Sequence, residues 1–439
     1  MSSGKTRCTV GGAAAAVVLA ASVLVGAAPA QGATTGESWY GTTDAGIEYA
    51  LTPQTAPDAW ADAAPADLVA ALDVPDADVA GMTTAALLEA ALDYPYVGDY
   101  VAYSTPQQGL DALRAKSPVI DELIRRPDVL DVVLATYGSA DLAAVAATDA
   151  ISTLHVGFVE LVLAQPEVLG QGDVERRADA VGVVVEKWRQ KQRIAGGTHY
   201  DTSGSALVAL RALAQDDPAA LDRLSGESAG VATFLEGGLV SALAPSQWKD
   251  LLQGLDGDLQ RTYRLEAGST SRLPTVGGGV TPDAPSYTNS SVKTPNGSTV
   301  ATLTVSGDLT SSQITQINNQ MASSYPRATR VRSATAKYNC HSYAWYSQST
   351  SNNRWMNYTA KYWTDGSYRF SSSQSYATAT NALSPLVIGH RVSYVNGDHS
   401  AYKSGATTLT SKWGQAGLYT HGPNHTPYTS TTTLNYYLR

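Results

Sequence analysis

Tyr338-Asn339-Cys340-His341-Ser342-Tyr343-Ala344-Trp345 is the stretch on which the reading of this chain turns. Asn339 has the side chain of a helix N-cap, which makes Cys340 the first helical residue and places Cys340, Tyr343, Ala344 and Ser347 on one inner face. A thiol there sits beside backbone N–H groups that lack intrahelical partners and at the positive end of the helix dipole. Both favour thiolate over thiol. The same amides can hold an oxyanion during acyl transfer. A small buried hydrophobe is the plainer use of a cysteine, but this one is solitary and sits at a helix start, which points to a nucleophile.

The residues around it read as short strands. Beyond Thr299 the chain is rich in Thr, Ser, Tyr and Val, with few Leu. Val300 to Val305 alternates as a strand, and Ile314, Ile317 and Met321 mark a short helix over 311–323. Arg391 to Asn396 reads as another strand, Gly397-Asp398 as a turn, and His399 to Lys403 as the next strand. His399 at a strand end is the expected base for Cys340, acting later as acid. If Gly405-Ala406 is a two-residue turn, His399 lies opposite Lys412, which has no acceptor for an imidazole N–H. A three-residue loop, Ser404 to Ala406, sets Ser411 opposite instead, so Ser411 is the expected orienting residue and Gln415 the alternative.

Cys340-His341-Ser342-Tyr343-Ala344-Trp345 resembles the Cys-x-x-Tyr-Ala-Trp nucleophile motif of the CHAP group of bacterial cell-wall enzymes, related to the NlpC-type, papain-like cysteine peptidases and amidases. The run from Val387-Ile388-Gly389 to Tyr394, and then His399, is similar to that family's pair of strands leading into the histidine. The resemblance covers about residues 330–430. It implies a papain-like domain, with a small antiparallel sheet packed on the nucleophile helix, Cys340 and His399 as catalytic pair, and peptidoglycan or another peptide as substrate. The family usually places Glu, Asn, Asp or His on the strand after the histidine, where this chain offers Ser411 or Gln415.

Toward the N-terminus the texture changes. The chain has 439 residues and a formal net charge of −9. The charge is divided: 266–439 carries +8, 31–265 carries −19, and the leading segment +2. A basic half can be drawn to anionic wall polymers or can dock on its own acidic neighbour. Between Thr52 and Asp258 apolar residues recur at helical spacing, as in Leu130, Val133, Leu134 and Tyr137 before Gly138. Thr105-Pro106 reads as a helix start, and Val174, Ala178, Val181, Val185 and Trp188 as the stripe of a long helix over 173–193. The prolines show no fixed period, so a compact bundle is expected rather than a solenoid.

The organisation expected is a signal peptide over 1–30, an acidic all-helical domain over 31–265, a Gly/Ser/Pro-rich linker over 266–299 and a papain-like hydrolase domain over 300–439: α+β overall. The signal rests on Lys5 and Arg7, the small-apolar run Gly11 to Ala28, and Ala28-Pro29-Ala30 as cleavage site. Its removal takes Cys8 and leaves Cys340 alone in an oxidising compartment, secreted or wall-associated. The reading carries no cofactor and no metal. His421 and His425 are four apart, but Gly422 and Pro423 between them argue for a loop, and no carboxylates join them. Nucleic acid fits poorly with export, and no later run is long and apolar enough for stable membrane insertion. His155, His199 and His390 read as structural. Trp345, Trp355, Trp363 and Trp413 read first as core and second as a groove lining. Two other classes fit the same residues: an exported binding protein that keeps the fold without catalysis, and a cysteine protease or deamidase whose helical half is a propiece.

Overall fold

The computed structural model describes residues 47–148, 150–226, 229–239, 242–243, 245–264, 273, 285–379 and 388–439. The expected signal peptide, Val387 and most of 266–284 lie outside them. The described chain is mixed helix and sheet, with a helical N-terminal half and antiparallel sheets after it.

Helices run from Pro57–Asp62 to Pro245–Tyr263. Proline at the first turn loses nothing, because that N–H has no partner anyway, and Pro57, Pro65, Pro106, Pro118 and Pro166 all open helices. Thr105 caps Pro106–Lys116 by accepting from the Gln108 amide at 3.2 Å, worth about 1 kcal/mol. Asp173 does the same for Val174–Arg193 through Arg176 N–H at 2.8 Å. Of that helix's expected stripe, Val181, Val185 and Trp188 are buried, whereas Val174 is exposed because it occupies the first turn. Among the described residues, no single helix is long and apolar enough to cross a membrane.

The second half holds ten described strands: β1 Ser286–Lys293, β2 Thr299–Ser306, β3 Thr329–Arg332, β4 Arg354–Trp355, β5 Arg369–Ser375, β6 Arg391–Val395, β7 His399–Lys403, β8 Leu409–Lys412, β9 Leu418–His421 and β10 Thr433–Leu438. β1, β2 and β4 form a small sheet, and the remainder a seven-stranded sheet in the order β3-β9-β8-β7-β6-β10-β5. Part of the stretch expected as linker is therefore a strand: β1 pairs with β2 along its whole length, from Ser286↔Ser306 to Lys293↔Thr299. Its two buried residues, Tyr287 and Val292, are five apart and face opposite sides of the strand, so among Ser, Thr and Asn they leave no alternation to read.

The large sheet has two different faces. Val392, Tyr394, Ala401, Leu409, Tyr419, Leu434 and Tyr436 point to one of them and join a core that also holds Trp60, Tyr96, Leu110, Met321 and Tyr325. The two halves thus share one apolar core, where the sequence suggested a separate second unit. Polar bonds stitch the seam. Tyr428 Oη donates to Ala102 O at 2.6 Å, Tyr103 Oη to Pro427 O at 3.0 Å, and Trp60 Nε1 to Ser324 O at 3.1 Å. A fully buried ion pair, Lys116 Nζ to Asp99 Oδ2 at 3.3 Å, lies in the same seam, and Tyr325 Oη donates to that carboxylate at 2.5 Å. Removing one partner of such a pair strands a charge away from water and costs about 3–5 kcal/mol.

The opposite face carries a second core, in which Ala344, Trp345, Met356, Tyr362, Tyr368 and Tyr437 pack with Val292 and Val300 of the small sheet. This is the face on which the Cys340 segment lies.

Candidate active site

Asn339 caps the helical segment as its side chain suggests, Oδ1 accepting from Ser342 N–H at 3.1 Å and from Met356 N–H at 3.2 Å. Cys340 and His341 lead into a π-helical turn, Ser342–Tyr346, closed by the i→i−5 bond from Ser347 N–H to Ser342 O at 3.0 Å. Such a wide turn adds a residue to the helix, and π turns concentrate at functional sites. Of the expected inner face Cys340, Tyr343 and Ala344 are buried and Ser347 is half-buried, but His341, Ser342 and Trp345 are buried as well, so burial does not single out one face. The Cys340 and His341 amides occupy the helix start, where N–H groups have no intrahelical acceptor.

The ionisable neighbour of Cys340 in the chain is His341. The His341 ring lies 2.9 Å by Nδ1 from Ser400 Oγ and 3.2 Å by Nε2 from Asp398 Oδ1. Ser400 Oγ also accepts from Trp345 Nε1 at 2.9 Å. Burial by itself would lower the His341 pKa. The negative charge on Cys340, the hydrogen bond to Asp398 and a hydrogen bond with Cys340 outweigh it and raise the group to about 10. Imidazolium is the form this arrangement favours near neutrality. Cys340 is 2 % exposed, and Asp398, 45 % exposed at its side chain, is where the cluster meets solvent. Asp398 also has a positive φ of 43°, in the left-handed region, where Asp is one of the few tolerated residues.

His399 lies elsewhere. Successive side chains of a strand point to opposite faces, and Ser400 points to the Cys340 segment. His399 accordingly faces the core shared with the helical half. Its ring stacks on Tyr428 at 3.7 Å and meets Tyr394 edge-on at 4.8 Å. Among the described residues neither of its ring nitrogens has a hydrogen bond. Burial holds its pKa well below the usual histidine range, and His421 and His341 push it the same way. The expected hydrogen bond between Cys340 and His399 is absent among the described residues, because the pleat of β7 sends Ser400, not His399, to the Cys340 segment. Tyr428 bridges the two settings: it stacks on His399, and its phenol is pushed up by burial first and then by the charge of Cys340.

The expected orienting residues also go elsewhere. Tyr402 pairs with Thr410 and Lys403 with Leu409, so the β7–β8 loop is Ser404 to Thr408, longer than either turn considered from sequence. That register puts Ser411 across from Ala401. Ser411 Oγ lies 2.7 Å from His421 Nε2 and accepts from Trp413 Nε1 at 3.0 Å. The Gln415 amide donates to Val101 O at 3.0 Å, in the seam with the helical half. His421 gives its other ring nitrogen to Gly422 O at 2.8 Å, while His425 Nδ1 lies 3.4 Å from Arg327 Nη2. Burial lowers His421 to about 4 and His425 to about 3. Trp345 and Trp355 are core, as their first reading held, and Trp413 stacks on Tyr419 at 4.2 Å.

His341, Asp398 and Ser400 were not singled out from sequence. The signal available was Asp398-His399-Ser400, a polar triplet whose outer members share one face while the middle one takes the other. In searches of protein-family models, curated proteins and solved structures, nothing matches this chain. The functional argument therefore rests on the site itself.

Proposed function

We propose that this chain is a secreted cysteine-dependent amide hydrolase acting on bacterial cell-wall peptidoglycan or a related peptide, with Cys340 as nucleophile and His341 as its acid and base. The observation that carries this reading is a sulfur at a helix start followed directly in the chain by an imidazole that a carboxylate orients, His341 Nε2 lying 3.2 Å from Asp398 Oδ1. In the reaction, Cys340 Sγ bonds to the amide carbonyl carbon, and the amides at the helix start hold the oxyanion. The C–N bond then breaks as imidazolium His341 gives a proton to the leaving amine. Nε2–H, on the solvent side beside Asp398, is the proton placed for this. Water attacks the thioester, His341 takes the water proton, and the carboxylic acid leaves with Cys340 restored.

The family resemblance of Cys340 to Trp345 supports a papain-like domain and a wall substrate. So does the basic character of the second half, whose edge strand β3 exposes Arg330 and Arg332. The reading places the domain outside the cell, behind the signal peptide. A non-catalytic binding protein is the second reading, favoured by the near-complete burial of Cys340.

The test is digestion of isolated bacterial wall by the mature full-length chain, followed by mass spectrometry of the released fragments. Activity lost in Cys340→Ala and His341→Ala, and kept in His399→Phe, supports the proposal. Activity lost in His399→Phe but kept in His341→Ala returns the base to the position the family resemblance gives it. Wall binding without any fragment release, unchanged by Cys340→Ala, establishes the binding protein instead.

A further inference from the structure

Arg391 is a cation without an anion. It opens β6, pairs directly across with Tyr402 of β7, and is half-buried. Tyr402 and Ser400 are two apart on one strand, so both point to the face on which Ser400 meets the Cys340 segment, Tyr402 standing about 7 Å along β7 from it. Two rings frame the guanidinium. Its central carbon lies 4.8 Å from the centre of the Tyr402 ring and 5.4 Å from that of Tyr368. Nη1 donates to Gly389 O at 2.7 Å. Nη2 lies 3.5 Å from Gln348 Oε1, at the limit of a hydrogen bond, and Nε has no acceptor among the described residues. Gln348 ties this corner to the Cys340 segment, its amide donating to Tyr343 O and, at 3.1 Å, to Ala344 O.

The second half of the chain has little to offer this group. Among the described residues no carboxylate lies within ion-pair distance of Arg391. Beyond residue 265 the acidic residues are Glu266, Asp283, Asp308, Asp365 and Asp398. The three that are described are engaged elsewhere. Asp308 accepts from Ala336 N–H at 2.9 Å, Asp365 from Ser367 N–H at 2.8 Å, and Asp398 lies 3.2 Å from His341 Nε2. Arg211 in the helical half shows the contrast, because its Nε, Nη1 and Nη2 all donate to carbonyl oxygens at 2.8–3.1 Å. Arg391 keeps one edge, Nε with Nη2, lacking a firm partner. That edge is a fork shaped to take both oxygens of a carboxylate.

We propose that Arg391 binds a substrate carboxylate, and that the peptide taken by the Cys340 segment carries one within about two residues of the amide to be cut. This inference rests on the Cys340 face being the substrate face, and it adds which peptides that face selects. The incoming oxygens displace Gln348 from its long contact and occupy Nη2 and Nε together, while Tyr368 and Tyr402 hold the guanidinium in place. A carboxylate at a chain end and one on a side chain offer the same chemistry.

The experiment measures peptide binding by calorimetry in the mature full-length Cys340→Ala chain, which leaves the peptide intact. The probes are acetyl-tetraalanine with a free C-terminus, the same peptide as its C-terminal amide, and acetyl-Ala-Glu-Ala-Ala-amide. The first and third separate a terminal from a side-chain carboxylate. One or both should bind about tenfold tighter than the neutral amide. Arg391→Gln should erase that preference. Arg391→Lys, which keeps a charge between the rings but has no fork, should cut it to about threefold and decides the matter if Arg391→Gln does not fold. Equal binding of all three peptides, binding of none, or a preference unchanged in either folded variant overturns the inference. The readout is binding alone, so a preference that depends on Arg391, in a chain whose parent digests no wall, would sink the hydrolase and leave the carboxylate site standing. Wall digestion without that preference would do the reverse.

Discussion

The two faces of β7 give adjacent residues opposite lives. On one, Ser400 takes hydrogen bonds from a helical segment that carries a sulfur, an imidazole and an indole. On the other, His399 is pressed between two phenol rings with no hydrogen bond to either nitrogen. The same side chain, histidine, is favoured as cation in the first setting and as neutral ring in the second, because a neighbouring negative charge stabilises imidazolium and an aromatic box does not. A histidine's chemistry here follows from which way the pleat sends it.

The largest effect that could break this comparison is at the polar face. Cys340→Ala should abolish wall hydrolysis, and His341→Ala should lower kcat by about 10²–10⁴-fold, the usual worth of a placed acid and base. His399→Phe should leave kcat within about threefold of the parent and the melting temperature equal or higher, since it removes two unpaired buried nitrogens while keeping the stack. The reverse ranking would mean that the aromatic face is the catalytic one. On that face, Tyr428→Ala removes the ring under His399 and the bond to Ala102, and denaturant unfolding should show a loss of about 3 kcal/mol or more. Ser400→Ala is milder: Trp345 Nε1 and His341 Nδ1 lose their shared partner, at about 1–3 kcal/mol by the same measurement.

The smallest and broadest effect sharpens the contrast through pH. His399, His421 and His425 are depressed in the fold, so between the ordinary histidine value and about 4 the unfolded chain binds more protons and stability should fall as pH falls. His341 is raised to about 10, so its contribution is whole below the ordinary histidine value and is lost as pH climbs toward 10. Melting temperature against pH should drop on both sides. His341→Ala should flatten the alkaline side only, and a variant that flattens the acid side instead would contradict the assignment of the two faces.

Much of this was legible in the sequence for reasons that are local. Thr105, Asp173 and Asn339 announce helix starts because a short polar side chain can reach an amide two or three residues on. The alternation of 391–396 announces one strand and Gly397-Asp398 a turn into the next, and the turn forms with Asn396 and Asp398 both at positive φ. What was not legible depends on register. A loop two residues longer than the three-residue reading moved Ser411 from His399 to His421, and nothing in Ser404 to Thr408 fixes that length. Nor could the chain reveal that Tyr94 to Tyr103 would meet Gly414 and Tyr428, residues more than 300 positions away. The helix stripes show that a face is buried, but not what buries it.

Gly414 marks that distant meeting most sharply. Its φ is +45°, and a Cβ there would come within 2.4 Å of the Ala102 carbonyl carbon, so backbone rests on backbone across the seam. A chain trimmed to begin near residue 285 would lose the surface against which Tyr394, Trp413, Tyr419, Tyr428 and Tyr436 are sealed, and would turn an aromatic wall toward water. Such a fragment should self-associate rather than stand alone. The helical half, on this account, is no detachable passenger but the mould in which the large sheet sets.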